Sequence, residues 1–198
     1  MPPLILKSHW HLIVFYLAMV ACFAPEWIGS FFQKVESGAV KHDRGSHAWI
    51  FVSSIAGVFF AFLFVSVNLP GTTLTAGQHV QFWAGIVTML CGLAFRWYAI
   101  RTLGRFFTRT VATRAGQFVV DSGPYRLIRH PSYSGGLLMF LGMGIAMTNW
   151  AALLSVLAGA LAGYLWRIHV EEQALCAALG EPYRAYMRRT RRLIPRVW

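Results

Sequence analysis

The chain has 198 residues, 57% of them hydrophobic and only 13% charged, with a formal net charge of +11. A soluble domain of this length needs far more surface charge, so the composition excludes an ordinary soluble protein and reads as one integral membrane domain, residues 1–198. The positive excess does not indicate nucleic acid, because the basic residues gather in loops flanking apolar runs, where topology and anionic lipid headgroups account for them.

A span needs about 20 mostly apolar residues. The first run, 11–32, is interrupted by Pro25 and Glu26. With little positive charge ahead of it, it reads as a retained span and not as a cleaved signal peptide. The second, 48–69, carries no formal charge, and the third, 80–100, carries Arg96 about a turn before its end. Residues 101–134 are too long and too rich in arginine to lie in hydrocarbon. The fourth run, 135–150, and the fifth, 151–170, follow without a gap, so Asn149 and Trp150 mark the turn of a tight helical hairpin. A charged, helical stretch then reaches about Arg192.

The expected fold is therefore all-α: a polytopic membrane protein with five transmembrane helices and cytosolic interfacial segments. Alternation places three polar segments on one side. They hold Lys34, Lys41 and Arg44, then Arg101, Arg105, Arg109, Arg114, Arg126 and Arg129, then six arginines of the tail. The other side holds Lys7 and the uncharged loop PGTTLTAGQH. Positive residues remain in the cytosol, which puts the N-terminus outside and the C-terminus inside. A cytosolic metabolite could meet a lipid-borne substrate at that face.

Three polar features stand out there. In RLIRHPSY, Pro131 suits the first turn of a helix, whose free N–H groups and positive dipole end would join Arg126, Arg129 and His130 in an anion site. The alternative is that these arginines only mark the end of a span. In RIHVEEQ, Arg167 and Glu171 lie four apart on one helix face and can pair, while the adjacent Glu171 and Glu172 point in different directions. Two acids in a chain with seven could receive an amine or sulfonium, or could simply pair with neighbouring arginines. Arg96 either faces a cavity or partner or snorkels to the headgroups. Cys22, Cys91 and Cys176 lack metal-ligand spacing, and neither a metal site nor a disulfide framework is expected. No Rossmann, G-x-S-x-G or H-E-x-x-H signature occurs.

LGRFFTRTV, FVVDSGPYRLIRHPSYSGGLLMFLG and RIHVEEQALCAALGEPYRAYMRRTRRLIP, over roughly residues 85–196, together resemble the isoprenylcysteine carboxyl methyltransferase family of integral membrane enzymes. The glycine pair and E-E pair are shared with related phospholipid N-methyltransferases. The ordered set G-P-Y, R-H-P-x-Y, E-E, G-x-x-Y and a late I-P carries the likeness. The small size is similar to the prokaryotic branch, which implies a prokaryotic inner membrane.

The resemblance implies S-adenosylmethionine as methyl donor, with S-adenosylhomocysteine as product, in a cytosol-facing pocket. Gln117, Val119, Gly123, Tyr125, Arg129, His130, Tyr133, Glu171 and Glu172 would bind it, the two acids at its amino-acid end. Arg96 matches a family arginine at the methyl-transfer point and would orient a substrate carboxylate. Gln117 departs from the family, whose eukaryotic members have histidine there. The acceptor would be a lipophilic or prenylated molecule arriving from the bilayer. A phospholipid amine methyltransferase, a sterol-type reductase using NADPH and a non-catalytic lipid-binding protein are the competing readings.

Overall fold

Apolar runs of this length bury their backbone polar groups by forming helices, and helices occupy all five expected positions. The computed structural model describes residues 2–32, 40–108, 111–113 and 116–195. The elements are α1 (Leu4–Lys7), α2 (His9–Phe32), α3 (Ser46–Val67), α4 (Gln78–Leu103), α5 (Pro131–Ala146), α6 (Trp150–Leu179) and α7 (Glu181–Arg189). Single 3-10 turns occupy Gly104–Phe106 and Gly123–Arg126, and Val40–Lys41 pairs antiparallel with Ala112–Thr113 as β1 and β2. Lys34, Arg109, Arg114 and the tail's Arg196, counted above among the basic residues, lie outside the described residues.

Two tight helix pairs organise the bundle. The α4–α5 pair closes through glycines: a Cβ on Gly92 would lie 2.7 Å from the Met139 amide nitrogen, and one on Gly135 would lie 2.7 Å from the Arg96 nitrogen. The α3–α6 pair closes in the same way at Gly57, Gly159 and Gly163. Lipid does not drive apolar helices together, so such small-residue seams supply close van der Waals contact. The bordering α2 buries Phe15, Ala18 and Cys22, while residues 23–26, 28 and 29 are only partly buried or exposed.

Among the described residues, four helices are long and apolar enough to cross a membrane: His9–Glu26 of α2, Ser46–Val67, Gln78–Phe106 and Trp150–Leu179. The fifth expected span, α5, has 16 residues, a length of about 24 Å at 1.5 Å per residue. Its Gly135 faces Arg96 and its Ala146 faces Gly85, so it runs antiparallel along most of α4.

Boundaries also differ from expectation. The first run is not broken at Pro25, which lies inside α2. The fourth helix begins at Pro131, because proline at the first helical position loses no bond. The fifth continues to Leu179 and ends at Gly180, whose φ is +62°. Thirty residues extend about 45 Å, so its last turns project past any hydrocarbon core and carry Glu171 and Glu172 with them. The hairpin turn falls at residues 147–149. Asn149 caps α6 by accepting from the Ala152 amide at 3.0 Å, and it donates to Thr72 Oγ1 at 3.0 Å.

Candidate active site

The RHP segment is held by the chain's own C-terminus. Backbone amides of Arg129 and His130 donate to the carbonyls of Arg191 and Arg192 at 2.7 and 3.0 Å, and Arg191 donates back to Leu127 at 3.1 Å. The Ser134 hydroxyl donates to Leu193 at 2.6 Å, and the Tyr186 hydroxyl to Tyr125 at 2.8 Å. At the start of α5, the Tyr133 and Ser134 amides both donate to the His130 carbonyl. Of the donors in the dipole-and-arginine anion site envisaged from the sequence, the amides of Arg129, His130, Tyr133 and Ser134 are thus engaged within the chain.

The two acids serve different ends. Glu172 is buried and receives Arg129 Nε at 2.8 Å, Arg192 Nη2 at 3.0 Å and His130 Nε2 at 3.4 Å. Arg129 also donates to the Thr190 and Met187 carbonyls at 2.6 and 3.1 Å. This network ties α6, α5 and the C-terminal segment together. Glu171 is more open, its side chain 27% exposed, and it accepts from the Tyr133 hydroxyl at 2.6 Å.

The expected Arg167–Glu171 pair runs through that same hydroxyl, which accepts from Arg167 Nε at 3.2 Å. The fully buried Arg167 donates through Nη1 to Asp43 and, at 2.9 Å, to Ser46. Burial alone would raise the Asp43 carboxyl, but the Arg167 guanidinium and the His47 and Val111 amides outweigh it and hold it below the ordinary carboxylate value. Burial pushes the Tyr125 phenol well up, so it stays protonated.

Two cavities meet here. A polar pocket of about 80 Å³ is lined by Gln117, Val119, Tyr125, Arg129, His130, Tyr133 and Glu171, with aromatic and aliphatic walls from Phe106, Phe118 and Leu175. Gly123 and Glu172, named from the sequence, lie outside that lining. An apolar cavity of about 720 Å³ lies among α2, α3, α5 and α6. Phe107, Thr108, Tyr133 and Arg167 line both.

Arg96 belongs to the apolar cavity. It does not snorkel: it turns inward, donating through Nε and Nη2 to both oxygens of Glu26, each at 2.8 Å, and through Nη1 to the Ser132 carbonyl at 2.7 Å. Glu26, Asp43 and the shared wall of Phe107, Thr108 and Arg167 were not identified as site residues from sequence. An acid inside an apolar run is itself a signal of a buried partner, and Glu26 carried that signal.

Known proteins give this arrangement its context. The cobalt-zinc-cadmium resistance protein CzcN of Cupriavidus metallidurans is 37% identical over 119 residues, 58% of this chain and 54% of that protein. Protein-S-isoprenylcysteine O-methyltransferase B of Arabidopsis thaliana is 32% identical over 118 residues, 56% of this chain and 57% of that one. The chain thus matches little more than half the length of these relatives. The eukaryotic intramembrane Ras methyltransferase ICMT (isoprenylcysteine carboxyl methyltransferase) shares the fold, with a TM-score of 0.52 at 23% identity over 96% of this chain and 63% of that one. The sequence model of the phospholipid methyltransferase family matches residues 80–181, more than half of the chain and nearly all of the polar pocket's lining, and the chain belongs to that family.

Proposed function

We propose that this protein is an S-adenosylmethionine-dependent methyltransferase that modifies a lipid-like carboxylate at the cytosolic face of a prokaryotic inner membrane. One observation carries the reading. A polar pocket and a large apolar cavity share a wall, so a charged water-soluble donor and a greasy acceptor can meet at it without either crossing the other's solvent.

The donor fits the chemistry of the pocket. Glu171 offers a carboxylate to an ammonium group, the phenyl and leucyl walls suit a flat heterocycle, and protonated tyrosines give a neutral, hydrogen-bonding surface beside a sulfonium. At about 80 Å³ the pocket is smaller than the roughly 300 Å³ at which small-molecule sites begin. Occupation therefore requires a wall of the pocket to widen. The Gly104–Phe106 turn and residues 116–122 form that wall, since neither α5 nor α6 can retreat from its glycine-lined seam.

S-adenosylmethionine supplies an electrophilic methyl group that a carboxylate oxygen can take in line, without proton transfer. The residues of the chain then have a positioning task. Arg96 holds the acceptor carboxylate by the two N–H groups it now gives to Glu26. Tyr133 and Arg167 keep the two ligands end to end, and the apolar cavity excludes water from the acceptor tail. In this reading α5 crosses with the other four helices, and the exposed arginines of the 101–134 and 180–192 segments rest on anionic headgroups. The Glu26 carboxylate in the same cavity favours one second reading, an amine acceptor.

Calorimetric titration of the detergent-purified protein with S-adenosylhomocysteine, beside NADPH, tests the class. Saturable binding of the first alone, weakened by Glu171→Gln, is the expected result. NADPH binding in its place would assign the architecture to reductive chemistry.

A further inference from the structure

The acceptor arginine is already holding a carboxylate. Glu26 meets Arg96 in a bidentate pair, both bonds at 2.8 Å, with the arginine side chain 10% exposed and the glutamate 19%. This is the planar fork geometry in which a guanidinium recognises any carboxylate. Both residues line the apolar cavity.

Glu26 sits where α2 is least anchored. Phe15, Ala18 and Cys22 are buried in the first part of the helix, whereas Met19, Val20, Phe23, Ala24, Glu26 and Ile28 line the cavity, with Phe23 resting on Phe140 of α5 at 4.9 Å between ring centroids. The close glycine seams join α4 to α5 and α3 to α6, and α2 takes part in neither. Pro25 removes a helical N–H directly before Glu26, which weakens the helix at that point. A carboxylate entering the cavity cannot share Arg96 with Glu26, because two anions a few ångströms apart in an apolar site repel strongly. One must leave, and Glu26 stands on the more loosely held element.

Building on the carboxylate reading above, we propose that Glu26 is an internal stand-in for the acceptor carboxylate, so that acceptor binding is an exchange of one carboxylate for another on Arg96. Glu26 thereby sets acceptor selectivity. It keeps Arg96 neutralised in the lipid-facing cavity until a ligand with both an apolar tail and an anionic head displaces it. A neutral lipid gains nothing from the exchange and leaves the pair closed. No covalent step is involved; the ion pair is simply transferred. Release of Glu26 also removes this tie between α2 and α4, on the side where exposed residues such as Val20 and Ile28 border the cavity.

The test uses the full chain in detergent, with N-acetyl-S-farnesylcysteine as anionic acceptor and its carboxamide as neutral competitor. Glu26→Gln removes the rival charge while keeping the shape, and Glu26→Asp keeps the charge but shortens the arm, which serves if the first variant folds poorly. Either variant is expected to lower KM for the carboxylate, Glu26→Gln by roughly tenfold or more, the scale of removing a charge-assisted competitor. Inhibition by the carboxamide and affinity for S-adenosylhomocysteine should stay unchanged. An unchanged or higher KM in both variants, with wild-type turnover intact, would overturn the exchange and leave the proposed function standing. Binding of S-adenosylhomocysteine without methylation of the carboxylate in any variant would overturn both.

Discussion

Glutamine at either of two adjacent positions, 171 or 172, should give opposite phenotypes. Glu172 is 5% exposed and receives Arg129, Arg192 and His130. Removing one partner of a buried ion pair costs about 3–5 kcal/mol. Arg192 is 37% exposed and partly solvated, which places Glu172→Gln near the lower end, about 3 kcal/mol. At about 2–4 °C per kcal/mol for a chain of this size, the apparent Tm should fall by roughly 6–12 °C. Glu171 is more exposed, and a glutamine there still accepts from the Tyr133 hydroxyl, so the Tm of Glu171→Gln should move by less than about 3 °C. Under the proposed function its loss would instead be a charge-assisted bond to the ligand, worth about 1.5–3 kcal/mol, or about 10- to 100-fold in affinity for S-adenosylhomocysteine. Thermal unfolding in detergent and calorimetric titration read the two effects separately. Equal falls in Tm, or a loss of affinity in Glu172→Gln at unchanged Tm, would refute this division of labour.

Three further substitutions bear on the same geometry. Arg96→Ala should lower kcat/KM for a carboxylate acceptor by about 100-fold or more, the cost of a lost bidentate contact, while affinity for S-adenosylhomocysteine stays within about threefold. Gly135→Ala places a methyl group 2.7 Å from the Arg96 backbone nitrogen and Cβ; it should destabilise the protein by about 1–3 kcal/mol in thermal unfolding and lower turnover more than cofactor affinity. Asp43 has a depressed carboxyl, so the stability it confers is fully present above the unfolded value of about 3.9 and is lost as pH falls through its lower folded value. The gap in Tm between wild type and Asp43→Asn should accordingly be wide at pH 7 and close only well below pH 4.

Much of this architecture was legible from apolar run length, because a chain in lipid has few ways to satisfy its backbone. The tight turn at Asn149 and the helix start at Pro131 follow from cap and proline chemistry that acts within three or four residues. Helix ends outside lipid were less legible. The charged helical stretch expected to about Arg192 does continue the fifth span, since leaving the bilayer removes an apolar requirement without breaking a helical bond, but it divides at Gly180 into α6 and α7. The pairs Glu26–Arg96 and Asp43–Arg167 join residues 70 and 124 positions apart, and no local pattern encodes which helix will face which. The distinction between Glu171 and Glu172 was hidden for a related reason. Neighbours on a helix point about 100° apart, and only the placement of α5 and the C-terminal segment decides which of them faces the pocket.

The charges around the shared wall follow one logic once their partners are known. Arg167 alone would repel a sulfonium brought to the wall, but Asp43, from the loop before α3, cancels it. Arg129 would do the same from the far side, and Glu172 answers it, while the second arginine on Glu172, Arg192, is partly solvated. Glu171 then differs from every other acid at the site, for its hydrogen bond comes from a phenol and not from a guanidinium. The polar pocket is left with a carboxylate disposed toward a cation. Across the wall the signs reverse, because displacing Glu26 leaves Arg96 as the charge facing the apolar cavity. Under the proposed function, a cationic methyl donor and an anionic acceptor would each have their own side of Tyr133. If Glu26 is exchanged as proposed, Arg96 gives up Glu26 only as a second carboxylate claims it, which would tie exposure of the arginine to the presence of a substrate able to use it.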